Sequence, residues 1–191
     1  LYIMVVRADL IIRRQQASLI DAHNEISRLA YTDAVTQLPN RHRFDQALEA
    51  HILHCRRHNE GFALLYLDLD GFKAINDSHG HGTGDAILAE IAQRLKQAVR
   101  ETDMAYRVGG DEFALLMTGA ITPEAAIQVV QNLLSIVAQP IVISEFTYFT
   151  SVSIGIANYP KSATSASALI ELADSAMYRA KAKGKNCYET A

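Results

Sequence analysis

Residues Phe62 to Leu69 read FALLYLDL, an apolar run interrupted only by Asp68 and followed by Asp70 and a glycine. The run is far too short to cross a membrane. It shows neither the two-residue alternation of a half-exposed strand nor a helical stripe. It is expected to be a strand covered on both faces. A chain built around such a strand must lay helices or a second layer on both sides of a sheet. Carboxylates at the end of a buried strand also need something to offset their charge.

The flanking text supplies the layers. Leu38-Pro39-Asn40 is a turn with Asn40 as a helix N-cap, and Phe44, Leu48, Ile52 and Cys55 follow at helical spacing as far as His58. Asn59-Glu60-Gly61 stops that helix. A second helix is expected from Phe72. A third is expected over Asp85–Arg100, after a connection containing Gly80, Gly82 and Gly84. Met104–Val108 and Glu112–Met117 read as a hairpin closed by a tight Gly109-Gly110 turn. Thr122-Pro123 opens a helix to about Ala138, and Ile141–Ile143 pairs with Phe146–Ala157. A last helix spans Ala168–Lys183, and a short strand near Cys187–Tyr188 finishes the sheet. Helices mixed with at least one hairpin exclude a purely parallel doubly wound sheet. The expected class is α+β, an antiparallel-containing mixed sheet with flanking helices.

Upstream, Leu1–Val6 suits one short strand, and the polar text to Ala30 carries a thin stripe of Leu19, Ile26 and Leu29. Residues 1–30 are read as the end of a sensor or linker plus a connecting helix, and residues 31–191 as the main domain. No basic stretch precedes Leu1–Val6, so it is not read as a signal peptide. A formal charge of −3 argues against binding nucleic acid by bulk electrostatics. Two distant cysteines, Cys55 and Cys187, fit a reducing, cytoplasmic compartment.

The acids carry the chemistry. Asp68 and Asp70 end the buried strand, and Asp111 and Glu112 sit at the hairpin tip. Such a strand end beside such a tip gathers carboxylates that repel, and a divalent cation is the usual remedy. Oxygen ligands favour Mg2+, which keeps positions open for phosphate and water. Either pair alone would be ordinary solvated loop acids. Both lying beside glycine at element ends favours a site. Gly71-Phe72-Lys73 opens a helix whose free N–H groups form a phosphate site. Asn76 and Asp85 offer an amide and a carboxylate able to read guanine. Lys181 and Lys185 suit a triphosphate or, equally, a solvated basic helix end. Gly80–Gly84 does not have the spacing of a dinucleotide fingerprint, and Gly184-Lys185-Asn186 is not a phosphate-binding loop. His51, His54 and His58 have metal-ligand spacing but border the apolar stripe of Cys55.

RVGGDEF at Arg107–Phe113 resembles the signature of the GGDEF family, the diguanylate cyclases. TDAVTQLPNRHRF resembles that family's opening DxLTGLxNRxxF block, and LLYLDLDGFKAINDSHGHGTGD its central block. SVSIGIA and ADSAMYRAKAKGKN resemble its late strand and closing helix, so the resemblance covers about Leu29 to Tyr188. It implies a ferredoxin-like fold similar to class III nucleotidyl cyclases and the polymerase palm. The implied activity joins two GTP into cyclic di-GMP across a homodimer. The implied metal, Mg2+ or Mn2+, is held by the side chains of Asp68 and Asp111 and the carbonyl of Leu69. Asp111 is the implied catalytic group, with Glu112 shaping the same site. Asn76 and Asp85 would bind guanine, and Phe72, Lys73, Lys181 and Lys185 the phosphates. Arg100-Glu-Thr-Asp103 is similar to the family's RxxD inhibitory site, where cyclic di-GMP binds.

Gln37 and Val35 replace the glycine and leucine of the opening block, and Lys185 stands where arginine is also frequent. The ending GKNCYETA resembles domains that precede an EAL phosphodiesterase. The start faintly resembles the exit of a PAS sensor or a membrane-exit segment, so the full-length bacterial protein would be cytoplasmic or membrane-attached. The competing readings are a non-catalytic GTP- or cyclic-di-GMP-binding regulatory module and a haloacid-dehalogenase-type phosphatase. Phe72 stands against the latter, as does the lack of a later acidic motif.

Overall fold

A computed structural model describes residues 14–16, 19–20, 30–119 and 123–191. The expected strand at Leu1–Val6, the Ile26 and Leu29 part of the upstream stripe and the Thr122 cap lie outside the described residues. Leu19 and Ile20 are helical and exposed.

The apolar run forms β1 (Phe62–Asp70), which is buried throughout except at Asp70. It is the middle strand of a five-stranded sheet ordered β2 (Met104–Arg107), β3 (Glu112–Met117), β1, β6 (Ser151–Tyr159), β7 (Tyr188–Thr190). Every pairing is antiparallel except β6 with β7.

The strand's two-residue period sorts the core into two halves. Ala63, Leu65, Leu67 and Leu69 pack with Phe72 of α2 (Phe72–His79), with Ile87, Leu88 and Ile91 of α3 (His81–Ala98), and with Val130 and Leu133 of α4 (Pro123–Val137). Phe62, Leu64 and Tyr66 pack instead with Phe44, Leu48 and Ile52 of α1 (Arg41–His58) and with Leu169, Ala173 and Met177 of α5 (Ala166–Ala182). By the same period Asp68 belongs to the α1/α5 side. The expected mixed α+β architecture is the one observed.

The caps of α1 are those expected. The Asn40 side chain accepts from the Arg43 N–H at 3.2 Å, and Asn59 closes the helix in the left-handed conformation.

Two boundaries differ from expectation. The third helix begins at His81 rather than Asp85, so Gly82 and Gly84 are helical. Gly80 alone, with φ 82°, separates α2 from α3. Gly84 is glycine for space, since a Cβ there would overlap the Asn76 side-chain oxygen. The Phe146–Ala157 segment is not one strand. β4 (Ile141–Ile143) and β5 (Phe146–Tyr148) form a separate two-stranded ribbon, and β6 starts anew at Ser151 opposite Asp70. No glycine or proline marks that break, and every residue across it favours strands.

Buried Arg94 fixes α3 to the end of α4. Its guanidinium donates to the carbonyls of Ile136 (3.0 Å), Gln139 (2.7 Å) and Pro140 (2.8 Å) and pairs with Glu90 at 2.9 Å. These include carbonyls that a helix end leaves without partners. Arg94→Ala is expected to cost about 3 kcal/mol by stranding them. Lysine should recover only part, because a point charge cannot reach all three carbonyls. Urea denaturation midpoints of the three proteins check this.

Candidate active site

The site begins where β1 ends. Asp68 lies directly opposite Glu112 of β3. Like charges so placed oppose each other. The Leu69 N–H donates to the carbonyl of Asp111 at 3.2 Å, which stitches the hairpin tip to the end of β1. Lys181 of α5 reaches in to place its Nζ 2.8 Å from Asp68 Oδ2. Asp68, Leu69, Asp111, Lys181 and Lys185 thus line one cavity of about 200 Å3, together with Phe72 and Lys73 at the start of α2.

Burial pushes the Asp68 carboxyl above its usual range, and Asp111 and Asp70 add to the shift against the opposing Lys181. Burial likewise raises Glu112, followed by the charges of Asp68, Asp174 and Asp111. An excess of crowded negative charge therefore remains. Among the described residues no three acidic, histidine or cysteine side chains are gathered closely enough to cage an ion unaided. The donor set still fits Mg2+. That ion is usually held by one or two carboxylates, with water and substrate phosphates completing the shell.

These shifts carry a pH prediction. Both groups titrate above their unfolded values, so the folded chain takes up protons first and gains stability as pH falls through the raised range. Cation and proton compete for the same oxygens. Added Mg2+ should raise the melting temperature most at about pH 8, and progressively less as the pH falls into the raised range of these carboxyls. Scanning calorimetry with and without Mg2+ across that span of pH measures it.

The hairpin tip owes its shape to side chains as well as glycine. Neither Gly109 nor Gly110 has a positive φ, so the pair is not the expected tight turn. Gly109 makes room, since a Cβ there would lie 2.5 Å from Glu112 Oε2. The Arg107 guanidinium donates to the carbonyls of Gly110 (2.7 Å) and Gly109 (3.2 Å) and pairs with Asp33 at 2.8 Å. Burial alone would raise Asp33, but hydrogen bonds from Arg107 and Thr36 hold it below the usual carboxylate range. The opening block thereby braces the tip that carries Asp111. Sequence reasoning gave Arg107 and Asp33 no role. They lie 74 residues apart, and nothing in one sequence links them.

Asp70, grouped by sequence with the functional acids, borders the same cavity, but its oxygens are engaged by neighbouring groups. It accepts from the hydroxyls of Ser151 (2.6 Å) and Ser153 (2.8 Å) and from the Asn186 N–H (3.1 Å). It ties β6 and the turn holding Lys185 to β1.

A second cavity of about 380 Å3 lies between α2, α3 and the hairpin, lined by Asn76, His81, Asp85 and Leu88 facing Arg107 and Gly110. Phe72, Lys73 and Asp111 line both cavities, so the two form one trough. The Asn76 side-chain oxygen is buried against Gly84 behind the cavity wall, without a hydrogen-bond partner among the described residues. Asn76 and Asp85 are thus brought together, and all the expected catalytic, metal and substrate residues border this trough or, as Glu112 does, the strand beneath it.

Arg100 and Asp103 lie apart from it. Arg100 is exposed and lines a depression of about 410 Å3 with Lys96 and Gln37. Asp103 is buried, and its carboxylate accepts from the N–H groups of Thr118 (3.0 Å) and Arg100 (3.4 Å). Of the two, only Arg100 has a free head group.

The profile of the family described as "Diguanylate cyclase, GGDEF domain" matches residues 30–187. The bifunctional diguanylate cyclase/cyclic di-GMP phosphodiesterase MucR of Pseudomonas aeruginosa is 44% identical over 90% of the chain. The diguanylate cyclase TpbB of the same organism is 39% identical over 89%. The chain spans only 25% of MucR and 39% of TpbB. The structure of the TpbB GGDEF domain superposes with a TM-score of 0.81, covering 84% of this chain and 94% of that one. The coiled coil and GGDEF domain of DgcB from Caulobacter crescentus, in complex with cyclic di-GMP, gives 0.85 at 25% identity, covering 97% and 99%.

Proposed function

The chain belongs to the GGDEF family of diguanylate cyclase domains, and on that premise we propose that it condenses two GTP into cyclic di-GMP with release of two pyrophosphates. The observation that carries this reading is the single trough with a charged end and a base-sized end meeting at Phe72, Lys73 and Asp111. At the charged end, Asp68, Asp111 and the Leu69 carbonyl would hold Mg2+ or Mn2+, which when bound would supply charge neutralisation for the triphosphate. Lys181, Lys185, Lys73 and the free N–H groups opening α2 bind the remaining phosphate oxygens. At the other end, Asp85 accepts from guanine N1–H and its exocyclic amine, and the Asn76 amide pairs with the base edge.

In each half-reaction the 3′-oxygen of one GTP bonds to the α-phosphorus of the other, and the bond to the pyrophosphate oxygen breaks. Asp111 takes part in removing the hydroxyl proton. Phosphoryl transfer of this kind needs in-line positioning and charge neutralisation more than protein covalent chemistry. The described residues of one chain offer one such trough, so two copies must face each other in a homodimer.

Incubation with GTP and Mg2+, followed by chromatography, tests the reaction. Cyclic di-GMP and pyrophosphate are expected. GTP bound but unchanged would leave a regulatory module, and phosphate release alone would point to a phosphatase. MucR's name joins cyclase and phosphodiesterase activities, and we take an upstream sensor and a downstream EAL domain as neighbours in the full-length protein. No helix among the described residues is long and apolar enough to cross a membrane.

We also infer product feedback through Arg100, whose depression lies outside the trough. Arg100→Ala should leave the initial rate unchanged and raise the concentration of added cyclic di-GMP needed for half inhibition by about tenfold or more. Equal inhibition of both proteins would remove the site. Asp103→Ala should instead lower the melting temperature, because two main-chain N–H groups lose their acceptor.

A further inference from the structure

We propose that His81 donates to N7 of the bound guanine and gives the base cavity part of its preference for purines. This rests on the reading of that cavity as a GTP site.

His81 is the first residue of α3, and Asp85 stands four residues on, so the two side chains share one face of the helix. Both line the cavity together with Asn76, whose side-chain oxygen is turned towards Gly84. Guanine presents donors at N1 and N2, and acceptors at O6 and N7 on its other edge. Asp85 satisfies the donors and the Asn76 amide serves one acceptor, which leaves an acceptor edge to be met.

The cavity offers few candidates for that partner. Arg107 has spent its guanidinium on Asp33, Gly109 and Gly110. Lys73 lies where the cavity joins the phosphate end. Among the described residues the His81 ring makes no hydrogen bond or ion pair, and it stands exposed at the rim. An imidazole carries an N–H in either tautomer and can turn it towards N7. Adenine shares N7, so His81 adds affinity for purines generally. Asp85 supplies the choice of guanine, and together they exclude pyrimidines.

The test uses GDP and 7-deaza-GDP, which differ only in replacing N7 by a C–H and cannot release pyrophosphate. Calorimetric titration with Mg2+ present is expected to show the wild type binding GDP about tenfold more tightly than 7-deaza-GDP. His81→Ala should bind GDP about tenfold more weakly and no longer distinguish the two. His81→Gln, which keeps a side-chain N–H donor, should restore part of the preference. Equal binding of both ligands by the wild type would overturn the proposal, as would an undiminished preference in His81→Ala. If the wild type binds GDP no better than ADP, the guanine cavity itself is misassigned, and His81 falls with it for a different and recognisable reason.

Discussion

Replacing Asp111 with asparagine is expected to lower cyclic di-GMP formation by about a thousandfold or more while leaving the fold intact. The substitution keeps the shape and removes the charge. The main-chain link from Leu69 to the Asp111 carbonyl does not involve the side chain, so the hairpin tip stays stitched to β1. Arg107 holds the tip through the carbonyls of Gly109 and Gly110, which the change also spares. Asp111 adds to the crowding that raises Asp68 and Glu112, so the variant should melt at the same temperature as the wild type or slightly higher. Product measured by chromatography and melting followed by calorimetry separate loss of chemistry from loss of structure. Near-normal product formation would remove Asp111 from the site.

Asp85→Ala is expected to weaken GTP by about a hundredfold and ATP far less. Asp77 and Asp111 also border the base cavity, but Asp85 is the carboxylate that α3 contributes to it, beside His81 and Leu88. Removing it leaves the two guanine donors without an acceptor, whereas adenine never used it. Asn76→Ala should act in the same direction but more weakly, because an amide bond to the base is neutral. Competition binding with both nucleotides reads the difference. Equal losses for GTP and ATP would mean that these residues support the cavity without reading the base.

Much of this arrangement was legible in the sequence because its signals are local. An apolar run of strand length has only one way to be buried, and β1 takes it. Asn40 and Asn59 cap α1 through atoms within a few residues of themselves. The carboxylates at the end of β1 and on the hairpin tip meet because a middle strand and its antiparallel neighbour bring their ends together.

The rest depends on partners distant in sequence. Gly82 and Gly84 read as a loop, yet Gly84 lies inside a helix because Asn76 needs its space. Asp70 looked like a third site acid until two serines 81 and 83 residues away claimed its oxygens. Asp103 borders the same depression as Arg100, and its carboxylate is also engaged by the N–H of Thr118, a partner 15 residues away. The bracing of the tip by Asp33 and Arg107 and the binding of the α4 end by Arg94 belong to the same class. In each case the deciding neighbour is a group that only the folded chain presents.

The most direct test of the account follows the rate of cyclic di-GMP formation per chain, at saturating GTP and Mg2+, as the protein is diluted, with sedimentation reporting its association state. One trough per chain predicts that product forms and that the rate per chain falls as dimers dissociate. Absence of cyclic di-GMP at every concentration, or an undiminished rate per chain from a confirmed monomer, would contradict it.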